Sequence, residues 1–89
     1  MQNIENTSRN GFLVFLGNIG LGVAERDLHS LLEPLGAINY IRLARDQQTG
    51  YSLGYAFVEM RHEHEAVQAV WKLKETRIEK RQLIARAIF

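Results

Sequence analysis

Two short apolar segments of this 89-residue chain carry aromatic residues at a spacing that suits the binding of flat molecules. Phe15 lies within residues 12–16, and Tyr55 and Phe57 lie two positions apart within residues 54–60. Side chains alternate between the two faces of a strand, so Tyr55 and Phe57 point the same way if their segment is extended. Nucleobases stack on exposed aromatic rings with a gain of about 1–3 kcal/mol per base. The spacing therefore favours a stacking surface.

The residues between these rings define the opposite face of the same strands. Ala56, Val58 and Met60 are small or aliphatic, and so are Val14 and Leu16 in the earlier segment. These side chains fill the core side, which argues against a core position for the aromatic residues themselves. The alternation leaves the following residues on the other face: Leu13, Phe15, Tyr55, Phe57 and Glu59. An apolar surface of this kind lowers solubility unless something binds to it.

Two further segments have the apolar period of helices that pack against a sheet. The first contains Leu28, Leu31, Leu32 and Leu35, and the second contains Ala66, Ala69, Val70 and Leu73. Gly36 is expected to end the first helix as a C-terminal glycine. Pro34 is expected to shorten or distort its last turn, because proline cannot donate the helical hydrogen bond.

The remaining segments predict two more strands. Residues 38–43 form the second strand, residues 54–60 the third and residues 83–89 the fourth, while residues 45–53 form a turn and residues 74–81 a charged connector. The order is then β-α-β-β-α-β. It predicts an α+β fold, a ferredoxin-like sandwich in which two helices cover one face of a four-stranded antiparallel sheet. The other face stays open, and its side chains decide the function.

Composition limits the classes of protein to which the chain can belong. With 11 basic and 10 acidic residues the net charge is +1, which excludes strongly electrostatic nucleic-acid binding but allows binding by stacking. The chain has no cysteine, and no apolar stretch reaches the length of a membrane span. We expect one domain over residues 12–89 after a flexible polar leader over residues 1–11, in a soluble intracellular protein, nuclear or cytoplasmic, without membrane association.

Residues 53–60, Leu-Gly-Tyr-Ala-Phe-Val-Glu-Met, resemble the octamer signature of RNA recognition motifs, which is basic-Gly-aromatic-small-Phe-Val-any-aromatic. Residues 54–58 match it without a break, whereas Leu53 and Met60 depart from it. Residues 14–19 resemble the hexamer signature of the same family, with an aromatic residue at its second position. The likeness extends over nearly the whole chain. The two signatures, in this order and at this separation, are a specific match.

The resemblance implies a module that binds short single-stranded RNA, without catalysis and without a cofactor. Phe15 and Phe57 would stack on successive bases, and Tyr55 would pack against a sugar or a third base. Asn18 would hydrogen-bond a base edge. The last site residues, which would flank the rings and reach phosphates or stack through their guanidinium planes, are Arg42 and Arg86.

Three departures from the family pattern should weaken phosphate contacts. Leu53 replaces a basic residue, Tyr51 lies in a loop that is often basic in the family, and Glu59 adds a negative charge to the open face. These departures leave an alternative open, a variant of the same fold that binds a protein instead of RNA. Tyr51 and Leu53 could equally contact a base or belong to a loop with no single role.

Trp71 is a candidate for a second binding surface. It lies beside the apolar stripe of the second helix, on the helical side opposite the rings. An exposed tryptophan there could contact a protein partner through the helical face or support a weak homodimer. An equally open alternative is a ring that folds over the helix edge and shields the core.

The chain offers little for catalysis or metal binding. His29, His62 and His64 do not have the helical spacing of metal ligands, so no metal site is predicted. A small hydrolase of the same fold would need an anion-binding loop with an arginine beside it. Residues 17–22 contain no basic residue, which makes that enzyme class a poor interpretation.

Overall fold

The structure, a computed structural model, describes residues 11–89, so residues 1–10 of the predicted leader lie outside the described residues. The elements are, in chain order, β1 Phe12–Gly17, α1 Glu25–Leu32, β2 Ile38–Arg45, β3 Ser52–Met60, α2 Glu63–Leu73, β4 Arg77–Ile78, β5 Arg81–Gln82 and β6 Ile84–Ile88. The main sheet has the order β2–β3–β1–β6, and all of its pairs are antiparallel. This topology confirms the predicted β-α-β-β-α-β sandwich.

Both helices pack against one face of the sheet, as predicted. Helix α1 contacts β2, and α2 contacts β1, β3 and β6. Most of the residues expected on the core side are fully buried: Val14, Leu16, Leu28, Leu32, Ala56, Val58, Met60, Ala66, Ala69 and Leu73. Val70 is nearly buried, whereas Leu31 and Leu35 are half-buried at the margin of the core. Because these side chains fill the space under the helices, the alternate side chains of each strand project from the uncovered face. Among residues 11–89, neither helix is long and apolar enough to cross a membrane.

The end of α1 agrees with the prediction from Pro34, and Gly36 ends the helical segment as expected, although without the left-handed backbone of a typical C-terminal glycine. The α-helix ends at Leu32, and Pro34 lies in the 3-10 turn Glu33–Leu35 that follows. Gly36 has an extended backbone and not a left-handed one. A Cβ there would lie 2.7 Å from the Cβ of Glu65, whose carboxylate accepts a hydrogen bond from the next backbone N–H. Glycine is therefore required by the close approach of α2.

The segment after α2 contains a β-hairpin where a charged connector was predicted. Arg77 pairs with Gln82 and Ile78 pairs with Arg81, so Glu79 and Lys80 form a two-residue turn. Both turn residues have positive φ, 53° and 70°. Such turns usually contain Asn-Gly or Asp-Gly, which tolerate positive φ. The turn here contains neither Asn-Gly nor Asp-Gly, which explains why the hairpin could not be predicted from the sequence.

Candidate nucleic-acid interface

Four of the predicted site residues lie in one row across the open face. Phe15 is directly opposite Phe57 on β3 and Arg86 on β6. Phe57 is in turn directly opposite Arg42 on β2. Residues paired across antiparallel strands project from the same face of the sheet. The row therefore presents two aromatic rings with an arginine at each end.

Tyr55 joins Phe15 and Phe57 in a cluster of three rings. The ring centroids are 5.6 Å apart for Phe15 and Phe57, 6.1 Å for Phe15 and Tyr55, and 6.2 Å for Tyr55 and Phe57. These are ordinary distances for favourable aromatic contacts. Phe15 and Phe57 are half-buried, and Tyr55 is 38% exposed. The rings thus contact one another on the face that no helix covers.

A fourth aromatic residue, Tyr40, extends this surface and is not among the residues that the sequence analysis selects. It lies on β2 opposite Glu59, in the row next to the rings. The guanidinium carbon of Arg42 is 5.5 Å from the centroid of the Tyr40 ring, which is a cation–π distance. The signal was available in the sequence, because Tyr40 and Arg42 are two positions apart on a predicted strand and share a face.

The sequence model of the family described as the RNA recognition motif matches residues 14–84. The chain belongs to this family. A relative, the Sex-lethal homolog of Chrysomya rufifacies, is 32% identical over 79 residues, which are 89% of this chain and 26% of the relative. The polyadenylate-binding protein, cytoplasmic and nuclear, of Candida glabrata is 37% identical over 65 residues, which are 73% of this chain and 11% of that protein. The chain thus spans about a quarter or less of these relatives.

A solved structure of an RNA recognition motif with bound RNA resembles this chain closely. The Rna15 motif with bound RNA (GU) superimposes with a TM-score of 0.76 at 31% sequence identity. The superposition covers 83% of this chain and 79% of the Rna15 chain. The fold is therefore shared with a motif that has been solved with a nucleic acid in place.

In this RNA recognition motif, the side chain of Asn18 is engaged within the fold. Its Nδ2 donates a hydrogen bond to the backbone oxygen of Gln82 at 2.8 Å, and its Oδ1 accepts one from Arg81 at 3.0 Å. Asn18 has a φ of 58°, a left-handed conformation that asparagine tolerates better than most residues. The side chain ties the end of β1 to β5. Each of these atoms uses half of its hydrogen-bonding capacity in these two bonds, so a base edge could bind Asn18 without displacing Gln82 or Arg81.

The loop between β2 and β3 is shorter than predicted and internally hydrogen-bonded. It covers residues 46–51, because β2 extends to Arg45 and β3 begins at Ser52. The Oδ1 atom of Asp46 accepts hydrogen bonds from the backbone N–H groups of Gln48 and Thr49. The bonds from Thr49 and Gln48 lower the pKa of the Asp46 carboxyl below its usual value. These hydrogen bonds define the backbone conformation of the loop and so the positions from which its side chains project.

The side chains around this loop offer apolar surface more than positive charge. Tyr51 and Leu53 are exposed where the family often has basic residues. Arg45 pairs with Glu25 at 2.7 Å and also donates to the backbone oxygen of Gly50. The hydrogen bond from Arg45 lowers the pKa of the Glu25 carboxyl. Arg45 is thus engaged in contacts within the fold. The basic side chains in the ring row itself are Arg42 and Arg86.

Trp71 lies on α2, the helix that covers the face opposite the rings, at the margin where α2 meets the outer strand β6. It is 66% exposed on α2 and lines a groove of about 530 Å³ between α2 and β6. Val67 and Ile84 also line this groove, and so does Arg86 from the ring row. Lys74 lies over the Trp71 ring, 5.3 Å from its centroid. The groove and the ring face therefore adjoin along β6.

No arrangement of three or more His, Cys, Asp or Glu side chains suited to a metal ion occurs within residues 11–89. The rings of His62 and His64 stack on each other with their centroids 6.2 Å apart. His62 immediately precedes α2, and both histidines are exposed to solvent.

Proposed function

We propose that residues 12–89 form a domain that binds short single-stranded RNA without catalysis, by stacking bases on Phe15, Phe57 and Tyr55. The observation that carries the proposal is the ring cluster on the uncovered face of the sheet, flanked by Arg42 and Arg86. Single-stranded bases expose both faces of each ring, which suits a surface of this kind. The solved Rna15 motif with bound RNA supports the same use of the fold.

Each residue of the proposed site has a distinct contribution. Phe15 and Phe57 stack on successive bases, and Tyr55 packs against a sugar or a third base. Arg42 and Arg86 reach phosphates at the two ends of the ring row or stack on terminal bases through their planar guanidinium groups. Asn18 contacts a base edge through the second hydrogen of Nδ2 or the second lone pair of Oδ1, while its bonds to Gln82 and Arg81 persist.

The direct test is a titration with short single-stranded RNA, followed residue by residue by NMR. We expect the largest changes in backbone amide shifts at β1 and β3, around the three rings. The helices should change little, because they cover the opposite face. Changes confined to α1 and α2, or no binding at low salt, would contradict the proposal.

The salt dependence of binding should be shallow. If basic side chains contact about two to four phosphates, a plot of the logarithm of the binding constant against the logarithm of the salt concentration has a slope of roughly −1.4 to −2.8 for a single strand. Leu53→Arg should restore a phosphate contact, raise affinity for all RNA sequences and steepen the slope by about 0.7, the contribution of one phosphate on a single strand. The measurement is fluorescence anisotropy across a salt series.

Gln68→Arg is the matched control for Leu53→Arg. It adds the same charge at an exposed position of α2, away from the loop between β2 and β3. The control should raise affinity less than Leu53→Arg and leave the slope nearly unchanged. A wild-type slope as steep as that of strongly basic duplex binders, or equal effects of the two variants, would refute the proposed phosphate contacts.

A second candidate function is a protein contact centred on Trp71. The observation that favours it is the groove between α2 and β6, where Val67, Trp71 and Ile84 are all exposed. Strand β6 is the outer strand of the sheet, so one side of its backbone lacks a partner strand. Exposed strand edges are ready sites for pairing with another chain. We propose that a second copy of this chain binds here weakly.

Replacing Trp71 by glutamine should weaken self-association and leave RNA affinity within about twofold of wild type. Glutamine is chosen because an acidic residue in the groove could disturb Arg86 by charge alone. Sedimentation velocity measures association, and anisotropy measures RNA binding. Lost RNA affinity in the folded variant would assign Trp71 to the RNA site. Unchanged association and unchanged RNA binding would leave Trp71 as a residue that covers the edge of the core.

We also propose that the protein acts in the nucleus or the cytoplasm. The proposal is supported by the family and by one relative, the polyadenylate-binding protein of Candida glabrata, whose name gives both compartments. Fluorescent tagging of the full-length protein in its own cells would test it. Accumulation of the tagged protein outside both compartments would be the contrary result.

A further inference from the structure

Glu59 projects from the open face, yet its side chain is almost enclosed. It is directly opposite Leu13 on β1 and Tyr40 on β2, which puts it in the row next to the rings. Only 9% of its surface is exposed. The backbone of Gly11 lies so close to the Glu59 side chain that a Cβ on Gly11 would collide with it. A charged residue in such a position must find polar partners.

The carboxylate of Glu59 is held in one orientation by a short hydrogen-bonded chain. Asn39 donates from Nδ2 to Glu59 Oε2 at 2.8 Å. Arg61 donates from Nε to Asn39 Oδ1 at 3.2 Å, which fixes the orientation of the Asn39 amide. Within residues 11–89, no hydrogen bond reaches the other carboxylate oxygen, Oε1. Among these described residues, the fixed carboxylate therefore keeps one acceptor oxygen that the fold does not use.

Glu59 lines a cavity that is large enough to hold a base. The cavity has a volume of about 480 Å³, and Leu13, Tyr40, Glu59 and Ile88 contribute to its walls. The Tyr40 ring and the aliphatic side chains provide apolar surface for a flat ligand, and Glu59 provides the hydrogen-bond acceptor. Because Glu59 and Phe57 are two positions apart on β3, a base in this cavity would neighbour a base stacked on the ring cluster.

Resting on the proposed RNA binding, we propose that Glu59 selects a base that presents an amino group and rejects uracil. A carboxylate only accepts hydrogen bonds, and it pairs with exocyclic amines such as cytosine N4. Uracil has carbonyl oxygens at both positions beside its single N–H, and these oxygens repel the carboxylate. Attraction for one base and repulsion of the other act together in such discrimination.

The test compares oligo(C) with oligo(U), two pyrimidines that differ at the 4-position, in anisotropy titrations of the wild-type chain and Glu59→Gln. Wild type should bind oligo(C) about five- to tenfold more tightly than oligo(U), the ratio for roughly one hydrogen bond. Glutamine keeps the acceptor for Asn39 but adds a donor, so the ratio should fall towards one. Glu63→Gln, which removes an exposed carboxylate from the first turn of α2, should leave the ratio unchanged.

A second measurement needs no protein variant and remains valid if Glu59→Gln does not fold. An oligomer of pyrimidin-2-one nucleotides lacks the amino group of cytosine but has no oxygen in its place. Wild type should bind it several-fold more weakly than oligo(C) and more tightly than oligo(U). Three results would overturn the selection by Glu59 without touching the proposed RNA binding. They are equal affinities of wild type for oligo(C) and oligo(U), a preference for oligo(U), and a preference for oligo(C) that Glu59→Gln leaves unchanged. Failure of wild type to bind any of the oligomers would instead overturn the proposed RNA binding itself.

Discussion

Replacing Phe57 by alanine should weaken the binding of short single-stranded RNA by about 1–3 kcal/mol, and Phe15→Ala should have an effect of the same size. Each ring lies at the centre of the row across the sheet and offers a stacking position for one base. The loss corresponds to roughly a 5- to 150-fold rise in Kd. The fold should persist in both variants, because the side chains under the helices are untouched.

The measurement is the RNA affinity of each variant by anisotropy, together with its thermal unfolding curve. Trp71→Gln is the matched control, since it also removes an exposed ring but from the groove between α2 and β6. It should bind RNA as wild type does. If Phe15→Ala and Phe57→Ala both unfolded, or bound RNA as tightly as the control, the assignment of the ring face to RNA would be wrong.

The two faces of the sheet could be predicted because they depend only on local alternation. Val14 and Leu16 flank Phe15 in the sequence, and Ala56 and Val58 flank Phe57. A strand has no freedom to put neighbours on the same face, so identifying the core residues also identified the exposed rings. The structure leaves all four of these neighbours without solvent exposure.

The hairpin and the contacts of Asn18 with it could not be predicted, for one shared reason. The turn at Glu79 and Lys80 lacks the residues that normally mark positive φ, so nothing in the sequence indicates β4 and β5. Asn18 hydrogen-bonds Gln82 and Arg81 on that hairpin. A long-range side-chain contact cannot be predicted until its partner strand is known, so the sequence did not indicate these two hydrogen bonds of Asn18.

The contacts of Glu59 could not be predicted either, although the face from which it projects was predicted correctly. Alternation placed Glu59 on the open face, and the sheet register agrees. Its burial depends on Asn39 and on the backbone of Gly11, both distant in sequence. Glu59, which was expected to add an exposed negative charge to the open face, is instead largely buried in the wall of a cavity. Electrostatic character depends on these contacts and not only on the face from which a residue projects.

Leu16→Ala should destabilise the fold by about 2–5 kcal/mol, the largest single effect that we expect. Leu16 is fully buried on β1, directly opposite Ala56 on β3 and Ala85 on β6. Leu43 lies beyond Ala56, so large and small side chains alternate along this row of the core. The two alanines flanking Leu16 have no atoms that could move into the space. A cavity should therefore persist, and its cost adds to the lost burial of the leucine side chain.

Urea unfolding of Leu16→Ala and Phe15→Ala compares two neighbours that face opposite sides of β1. Phe15→Ala should cost no more than about 1–2 kcal/mol of stability, because its ring is half-buried and loses only aromatic contacts. The RNA affinity of folded Leu16→Ala should match wild type, whereas Phe15→Ala should lose affinity while staying folded. Most small domains have a total stability of only about 5–15 kcal/mol, so the binding measurement belongs at low temperature, where the Leu16 variant is folded. The reverse pattern, with a stable Leu16→Ala that fails to bind RNA, would mean that the core and binding faces of β1 had been exchanged.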